Sequence, residues 1–399
     1  MDRSLRISAR STFLERAPKT SDSEYRSQAL AVPGEPAKIL TTLLLPLGDT
    51  LMATPALHAL RKRFPHAQIT ALVYRSNTSL LEGNPDLNQL VQINPTGSGP
   101  EWARAARVLY QLRREQFDLV VNLSPLGHVL TMVAGASEHV GFPMPRRWWL
   151  RPTRDEKFVS VHAIDRYLYA VGRVGATLPE HGEARVPRLH LAQKDRLVAR
   201  SILRNAGIKI GEMVVTMHPG GEGFDGRKQW SLDRFVTVAR HLIKQYGAKI
   251  ILVGGPTDKP LVEEIAAQLP DAPVLAAGQT SLKQTAALIE ASVLFIGNDS
   301  CPLHMAAAVG TPAIGIFGPS NIQQFHPVGR PGYRFIAAHR DLPCSPCFHF
   351  VGTQPPWQVN LCRSRQCLKA IPAEDVIASA SKLLKGRSAP LTRLRVLKP

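Results

Sequence analysis

The stretch IGNDSCPLHMAAAVGTPAIGIFGPS, Ile296 to Ser320, leaves the surrounding chain few ways to fold. Val293 to Ile296 is a short apolar strand, Gly297-Asn298-Asp299-Ser300 is a turn that also caps a helix, and Pro302 suits the first helical turn. The spacing predicts a helix through Leu303, Met305 and Ala306 to Val309, stopped by Gly310 in the C′ position. Past Pro312 a second buried strand follows, Ala313 to Phe317. That order is a βαβ unit, whose two strands must run parallel. At its strand end the N–H groups of Ser300, Cys301 and Leu303 point out of the sheet, where the partial positive charge of the helix favours an anion such as phosphate.

The rest of the chain repeats this alternation. Met1 to Pro36, rich in Ser and Arg without apolar periodicity, reads as a disordered extension. A first domain, 37–177, alternates strands (Ile39 to Leu45, Ile69 to Val73, Gln89 to Ile93, Phe117 to Asn122) with helices. These are Thr50 to about Arg63, a short one near Ser79, Glu101 to Arg114, one from about Leu126, and Val161 to Val174. Residues 178–192, rich in proline and polar groups, read as a linker. A second domain, 193–372, places strands at Met213 to Met217 and Lys249 to Val253 among helices at Lys194 to Asn205, Leu232 to Tyr246, Asp258 to Leu269 and Ser281 to Ile289, and then reaches the βαβ unit. The predicted fold class is α/β, two doubly wound Rossmann-like domains whose ligands sit beyond the carboxyl ends of the strands. A last amphipathic helix, 373–385, and a basic tail, 386–399, complete the chain.

A length of 399 residues fits two cores better than one. The longest apolar runs are strand length, far short of a bilayer span, and Met1 to Arg10 lacks the apolar centre of a secretory signal, so a cytoplasmic location is expected. The net charge of +18 calls for an anionic partner. The basic residues are spread along the chain, with no zinc finger, homeodomain or ribonucleoprotein-type aromatic motif, which argues against nucleic acid. A membrane leaflet or an anionic glycolipid satisfies the charge equally well.

Two strings tie the fold to chemistry. NDSCPLHMAAAVGTP followed by FGPS resembles the donor-binding signature of glycosyltransferase family 9, the bacterial heptosyltransferases, through Asp299, Ser300, His304, Ala307, Ala308, Gly310, Pro312, Gly318 and Pro319. Cys301 departs from it, standing where the family usually has Gly. PLGDTLMATPAL, from Pro46, is similar to the family's N-terminal signature, with Gly48, Asp49, Thr54, Pro55 and Ala56 in register. The resemblance implies the GT-B architecture, with the last helix crossing back onto the first domain. It also implies that Asp49 is the catalytic base, taking a proton from the acceptor hydroxyl. By its position alone, Asp49 reads as the cap of a helix.

Lys228 lies two positions before Trp230, as does the family lysine that sits on the donor diphosphate, where a cation offsets charge on the leaving group. By position alone it is a solvated loop lysine. Gly220, Gly221 and Gly223 form a loop able to wrap phosphate. Asp258 in VGGPTDKP either holds a ribose, as the resemblance implies, or caps its own helix. Arg146, Arg147, Arg151 and Arg154 flank Trp148 and Trp149. They read either as an acceptor face for an anionic glycolipid at the leaflet or as a solvated loop with its indoles in the core. Cys344, Cys347, Cys362 and Cys367 have a spacing closer to structural zinc than to disulfides. The combined expectation is a metal-independent, inverting transfer of heptose from ADP-heptose to the inner core of lipopolysaccharide. It needs no cofactor beyond the nucleotide-sugar donor. Another nucleotide sugar or another acceptor, glycan or protein, is the alternative within the class, and a nucleic-acid-binding protein is the alternative outside it.

Overall fold

In the computed structural model, which describes residues 34–94, 101–124, 138–141, 161–177, 185–221, 226–347, 362 and 364–385, the chain enters its first sheet along β1 (Lys38–Leu43). That strand pairs in parallel with both β2 (Gln68–Tyr74) and β4 (Leu119–Asn122), with Leu40 opposite Thr70 on one side and Val120 on the other. β3 (Gln89–Ile93) and β5 (Glu138–Gly141) complete the order β3-β2-β1-β4-β5. Central strands buried on both faces must be nearly continuous in apolar and β-branched residues, as KILTTL and QITALVY are.

The helices are α1 (Leu47–Met52), α2 (Thr54–Arg63), α3 (Thr78–Leu81), α4 (Glu101–Glu115) and α5 (Ala163–Gly172). The single helix expected from Thr50 begins earlier, and Ala53 divides it just before Thr54 and Pro55. Pro55 has no N–H to continue a ladder, so the second helix starts afresh with proline in its first turn.

The second domain opens with α6 (Gln193–Asn205) and has a second parallel sheet of six strands: β6 (Val214–His218), β7 (Lys249–Leu252), β8 (Val274–Leu275), β9 (Leu294–Asn298), β10 (Ala313–Ile316) and β11 (Phe335–Ala338). Their order is β11-β10-β9-β6-β7-β8. Its helices are α7 (Leu232–Tyr246), α8 (Lys259–Ala266), α9 (Leu282–Ala291), α10 (Cys301–Val309), α11 (Ile322–Phe325), α12 (Gln366–Lys369) and α13 (Ala373–Leu384). The βαβ unit forms as the sequence predicts. β9 and β10 pair in parallel, and Gly310 ends α10 at φ +80°, a left-handed conformation that favours glycine.

Each sheet reverses its strand order once, at β1/β4 and at β6/β9. The two reversals face each other, because α1 packs on α10 and one apolar cluster runs from β1, α2 and α5 into α6, α9 and α10. This is the GT-B arrangement. The last helix departs from expectation: α13 buries Val376, Ala380 and Leu383 against α7 and the second sheet rather than crossing to the first domain. Its apolar face matches a groove its own domain leaves open, and Trp230 Nε1 donates to Ile371 O at 3.0 Å just before it. Among the described residues no helix is long and apolar enough to cross a membrane.

Candidate active site

At the first reversal β1 ends and the chain turns at Pro46, the residue that precedes α1. Asp49 lies in the first turn of α1 and makes no cap there. Its carboxylate is buried and accepts a hydrogen bond from the Tyr167 hydroxyl of α5, 2.8 Å to Oδ1. Burial raises its pKa above the usual carboxylate range, and the Tyr167 hydrogen bond with the charges of Arg166 and Lys228 only partly offsets this. A carboxylate held in that way is a stronger base than an exposed one.

At the second reversal Asn298 ends β9 with its side chain facing the loop after β6. Its Nδ2 donates to Pro219 O at 2.8 Å and Gly220 O at 2.9 Å, and its Oδ1 accepts from Trp230 N at 3.2 Å. These bonds hold the loop so that Lys228 reaches the next residue, Asp299, with Nζ 2.7 Å from Oδ2. Burial alone would raise the Asp299 pKa, but the Lys228 ammonium beside it prevails and leaves it below the usual range. Lys228 also lies 5.7 Å from the centre of the Phe325 ring, within cation–π range.

Beside this pair a polar chain supports the floor. Ser300 Oγ is 3.0 Å from His218 Nδ1, and His218 Nε2 is 3.6 Å from Asp258 Oδ2. The order resembles a nucleophile relay, but the serine hydroxyl donates to Asn298 O at 3.1 Å and the outer contact is long, so the chain is a scaffold. Asp258 accepts from Gly255 N at 2.8 Å, which closes the short turn before α8, and its side chain makes no cap on α8 itself. It is wedged between two glycines: a Cβ on Gly220 would stand 2.1 Å from its Oδ1, and one on Gly254 2.6 Å from its Cβ. Its side chain is buried, 5% exposed, against the loop that follows β6.

The reversals meet where Gly48 lies against the start of α10, a Cβ there standing 3.4 Å from His304 Cδ2 and 3.6 Å from Cys301 Cα. Burial pushes the His304 pKa down to about 4, so the imidazole is neutral, and among the described residues its Nδ1 has no hydrogen-bond partner. Cys301, where the family usually has Gly, occupies ordinary helical backbone, so no unusual dihedral is demanded of it. Burial pushes its thiol well up, leaving it protonated and unreactive. Of the three N–H groups expected to face an anion, that of Leu303 is taken by Ser300 O at 3.0 Å within the first turn.

Asp49, Lys228, Asp299, Ser300, Cys301 and His304 are thus brought together from segments up to about 250 positions apart in sequence. Arg146, Arg147, Arg151 and Arg154, and Gly223 of the glycine loop, lie outside the described residues. Cys344 is exposed, Cys347 and Cys362 half-buried and Cys367 buried. Cys347, Cys362 and Cys367 line one small cavity with Arg227, Pro319 and Arg365, but among the described residues no three His, Cys, Asp or Glu side chains are placed to hold a metal ion. Tyr167 and Arg166 are the site residues sequence reasoning missed. Both lie in the helix read as Val161 to Val174, where the local pattern does not set them apart from an ordinary amphipathic stretch.

The model of glycosyltransferase family 9 (heptosyltransferase) matches residues 105–358. The lipopolysaccharide heptosyltransferase 3 of Escherichia coli K12 is 30% identical over 348 residues, covering 84% of this chain and 95% of that protein. Among solved structures, a family 9 glycosyltransferase from Veillonella parvula superposes with a TM-score of 0.71 at 23% identity, covering 87% of this chain and 97% of that one. The E. coli ADP-heptose lps heptosyltransferase II gives 0.67 at 21%, covering 87% and 98%. A family match that spans the second reversal, joined to a relative that also spans most of the first domain, makes this chain a member of glycosyltransferase family 9, a glycosyltransferase of GT-B fold.

Proposed function

We propose that the protein transfers heptose from ADP-heptose to the inner core of lipopolysaccharide with inversion at the anomeric carbon. The observation that carries this reading is that Asp49, with a raised pKa, faces the Lys228–Asp299 pair and the start of α10 across one cleft. A single displacement needs a base on one side of the sugar and a sink for negative charge on the other. The acceptor oxygen attacks the anomeric carbon as its bond to the diphosphate breaks. The proton passes to Asp49 and the electron pair leaves with ADP. Lys228 follows that charge, and the dipole of the nine-residue helix α10 adds about 0.3–2 kcal/mol.

Positive charge supplied by the protein makes a magnesium ion unnecessary in this scheme. Heptose, ADP-heptose and lipopolysaccharide are drawn from the names of the relatives, and the +18 net charge suits an anionic glycolipid acceptor met at the cytoplasmic face of the inner membrane. The test is release of ADP on mixing the protein with ADP-heptose and a heptose-deficient lipopolysaccharide core, with a product heavier by one heptose. Turnover should persist in excess EDTA. Release of nucleotide only from a different sugar donor, or transfer only to a non-lipid acceptor, would reject the substrate assignment.

A further inference from the structure

The mechanism leaves Tyr167 unused, although the phenol is buried beside the carboxylate. Tyr167 is 1% exposed and its hydroxyl donates to Asp49 Oδ1 at 2.8 Å; among the described residues no other hydrogen bond reaches that carboxylate. The helix that carries it is fixed from both domains. At its start the His162 Nδ1 accepts from Ile164 N at 3.2 Å, so its Nε2 carries the proton and donates to His326 O of the second domain at 2.8 Å. Two residues before Tyr167, Asp165 takes a two-pronged ion pair from Arg185, at 2.8 and 2.6 Å. Burial and the Asp49 charge push the Tyr167 phenol well above its usual range, so it stays a proton donor throughout the working range of pH. The other charged or titratable groups that act on Asp49 are Arg166 from the same helix, Lys228 from the loop after β6, and Asp299 and Cys301 at the β9–α10 junction.

We infer that Tyr167 is the positioning residue of the base: its hydroxyl holds one oxygen of Asp49 in place, so that the other is presented to the acceptor hydroxyl. The inference rests on the reading of Asp49 as the base. A free carboxylate rotates about its last bond and visits the productive orientation only part of the time. One tethered by a buried phenol does not, and this is the kind of orientation that lowers a barrier without tightening substrate binding. The tether also stabilises the ionised form, so its loss makes Asp49 harder to ionise.

The experiment is the pH profile of kcat/KM with ADP-heptose and heptose-deficient lipopolysaccharide core. Tyr167→Phe, which removes one oxygen and keeps the ring, should move the acidic limb up by about one unit, the scale of one hydrogen bond to a charged group. It should also lower kcat by roughly tenfold and leave the donor KM unchanged. 3-Fluorotyrosine placed at position 167, a more acidic phenol and a stronger donor, should move the limb down, and it decides the question alone if Tyr167→Phe does not fold. If Asp49→Asn keeps wild-type turnover, the base reading fails and the tether with it. If Asp49→Asn is inactive while the phenylalanine and fluorotyrosine enzymes titrate like wild type, the base reading stands and the positioning role is overturned.

Discussion

Asp49 and Asp299 occupy equivalent places in the two halves of the molecule, each buried just past the end of a central strand where the sheet reverses order. Their chemistry is opposite. Asp49 has a neutral partner, the Tyr167 hydroxyl, and its pKa is raised by burial; Asp299 has a cationic one, Lys228, whose charge overrides burial and lowers its pKa. Two carboxylates in one cleft are thereby separated into one that can take a proton and one that stays ionised, as sites that need both a base and a fixed charge require. The repeated fold supplies the positions, and the partner side chains supply the difference.

The largest effects should come from breaking the two halves separately. Asp49→Asn keeps an oxygen for Tyr167 and loses only basicity, so turnover should fall on the order of 10² to 10⁴ with the donor KM nearly unchanged. Lys228→Ala removes the sink for leaving-group charge and should cost roughly 10² to 10³ in turnover. Steady-state kinetics on both variants check the assignment. An Asp49→Asn enzyme whose main defect was in donor binding would move Asp49 to the other half of the reaction.

Stability should respond with opposite signs. A carboxyl whose folded pKa is raised contributes stability that is complete below its unfolded value, about 3.9, and is lost as pH rises through the folded value. Asp49 is of this kind, so Asp49→Asn should raise the melting temperature at pH 7. A carboxyl whose folded pKa is lowered contributes stability that is present above about 3.9 and is lost as pH falls through the folded value. Asp299 is of this kind, and Asp299→Asn also removes the carboxylate that Lys228 Nζ meets at 2.7 Å. The loss should be on the order of 2 kcal/mol, below the roughly 3–5 of a fully buried pair because Lys228 keeps some solvent contact. Thermal melts at pH 7 and pH 3 test both signs, and a melting point that moved the same way in both variants at pH 7 would erase the contrast.

What was legible in the chain follows the same division between local pattern and remote partner. The central strands and long helices show in runs such as QITALVY and in the 3.6-residue periodicity of Leu232–Tyr246 because both faces, or one whole stripe, are buried. β5, β8 and β11 were not anticipated. All three are edge strands of two to four residues, only partly buried, and burial is what writes a pattern into a sequence. Asp49, Lys228 and Asp299 stood out because their motifs resemble a family. Tyr167 did not, since its partner is 118 positions away and nothing in its own helix marks it as more than an amphipathic residue. The placement of α13 was misjudged for a related reason: its sequence displays an apolar face but not which domain offers the matching groove.

A smaller effect should follow from disturbing the scaffold under the second half. Gly254→Ala would drive a methyl into Asp258, displacing it from Gly255 N and from His218. Overpacking of this sort costs about 1–3 kcal/mol. Because the chain of contacts ends on Ser300 at the donor side, the donor KM should rise while the pH limb set by Asp49 stays in place. A shifted limb would mean that the two halves are coupled through the floor of the site.

The smallest effect is expected at His304, which touches both halves. It packs on Gly48 from the first and lies close to Asp299 in the second, but with a pKa near 4 it carries no charge at neutral pH. His304→Gln keeps a polar side chain of similar reach and removes no charge from the cleft. If the imidazole serves only as a neutral hydrogen-bonding group toward the donor, its loss is worth about 1 kcal/mol, or roughly fivefold in donor KM. Neither the acidic limb nor the melting temperature should move appreciably. A limb displaced by a unit or more would show that His304 is protonated in the working enzyme, and the division of labour between Asp49 and Asp299 would then have to include a third titrating group.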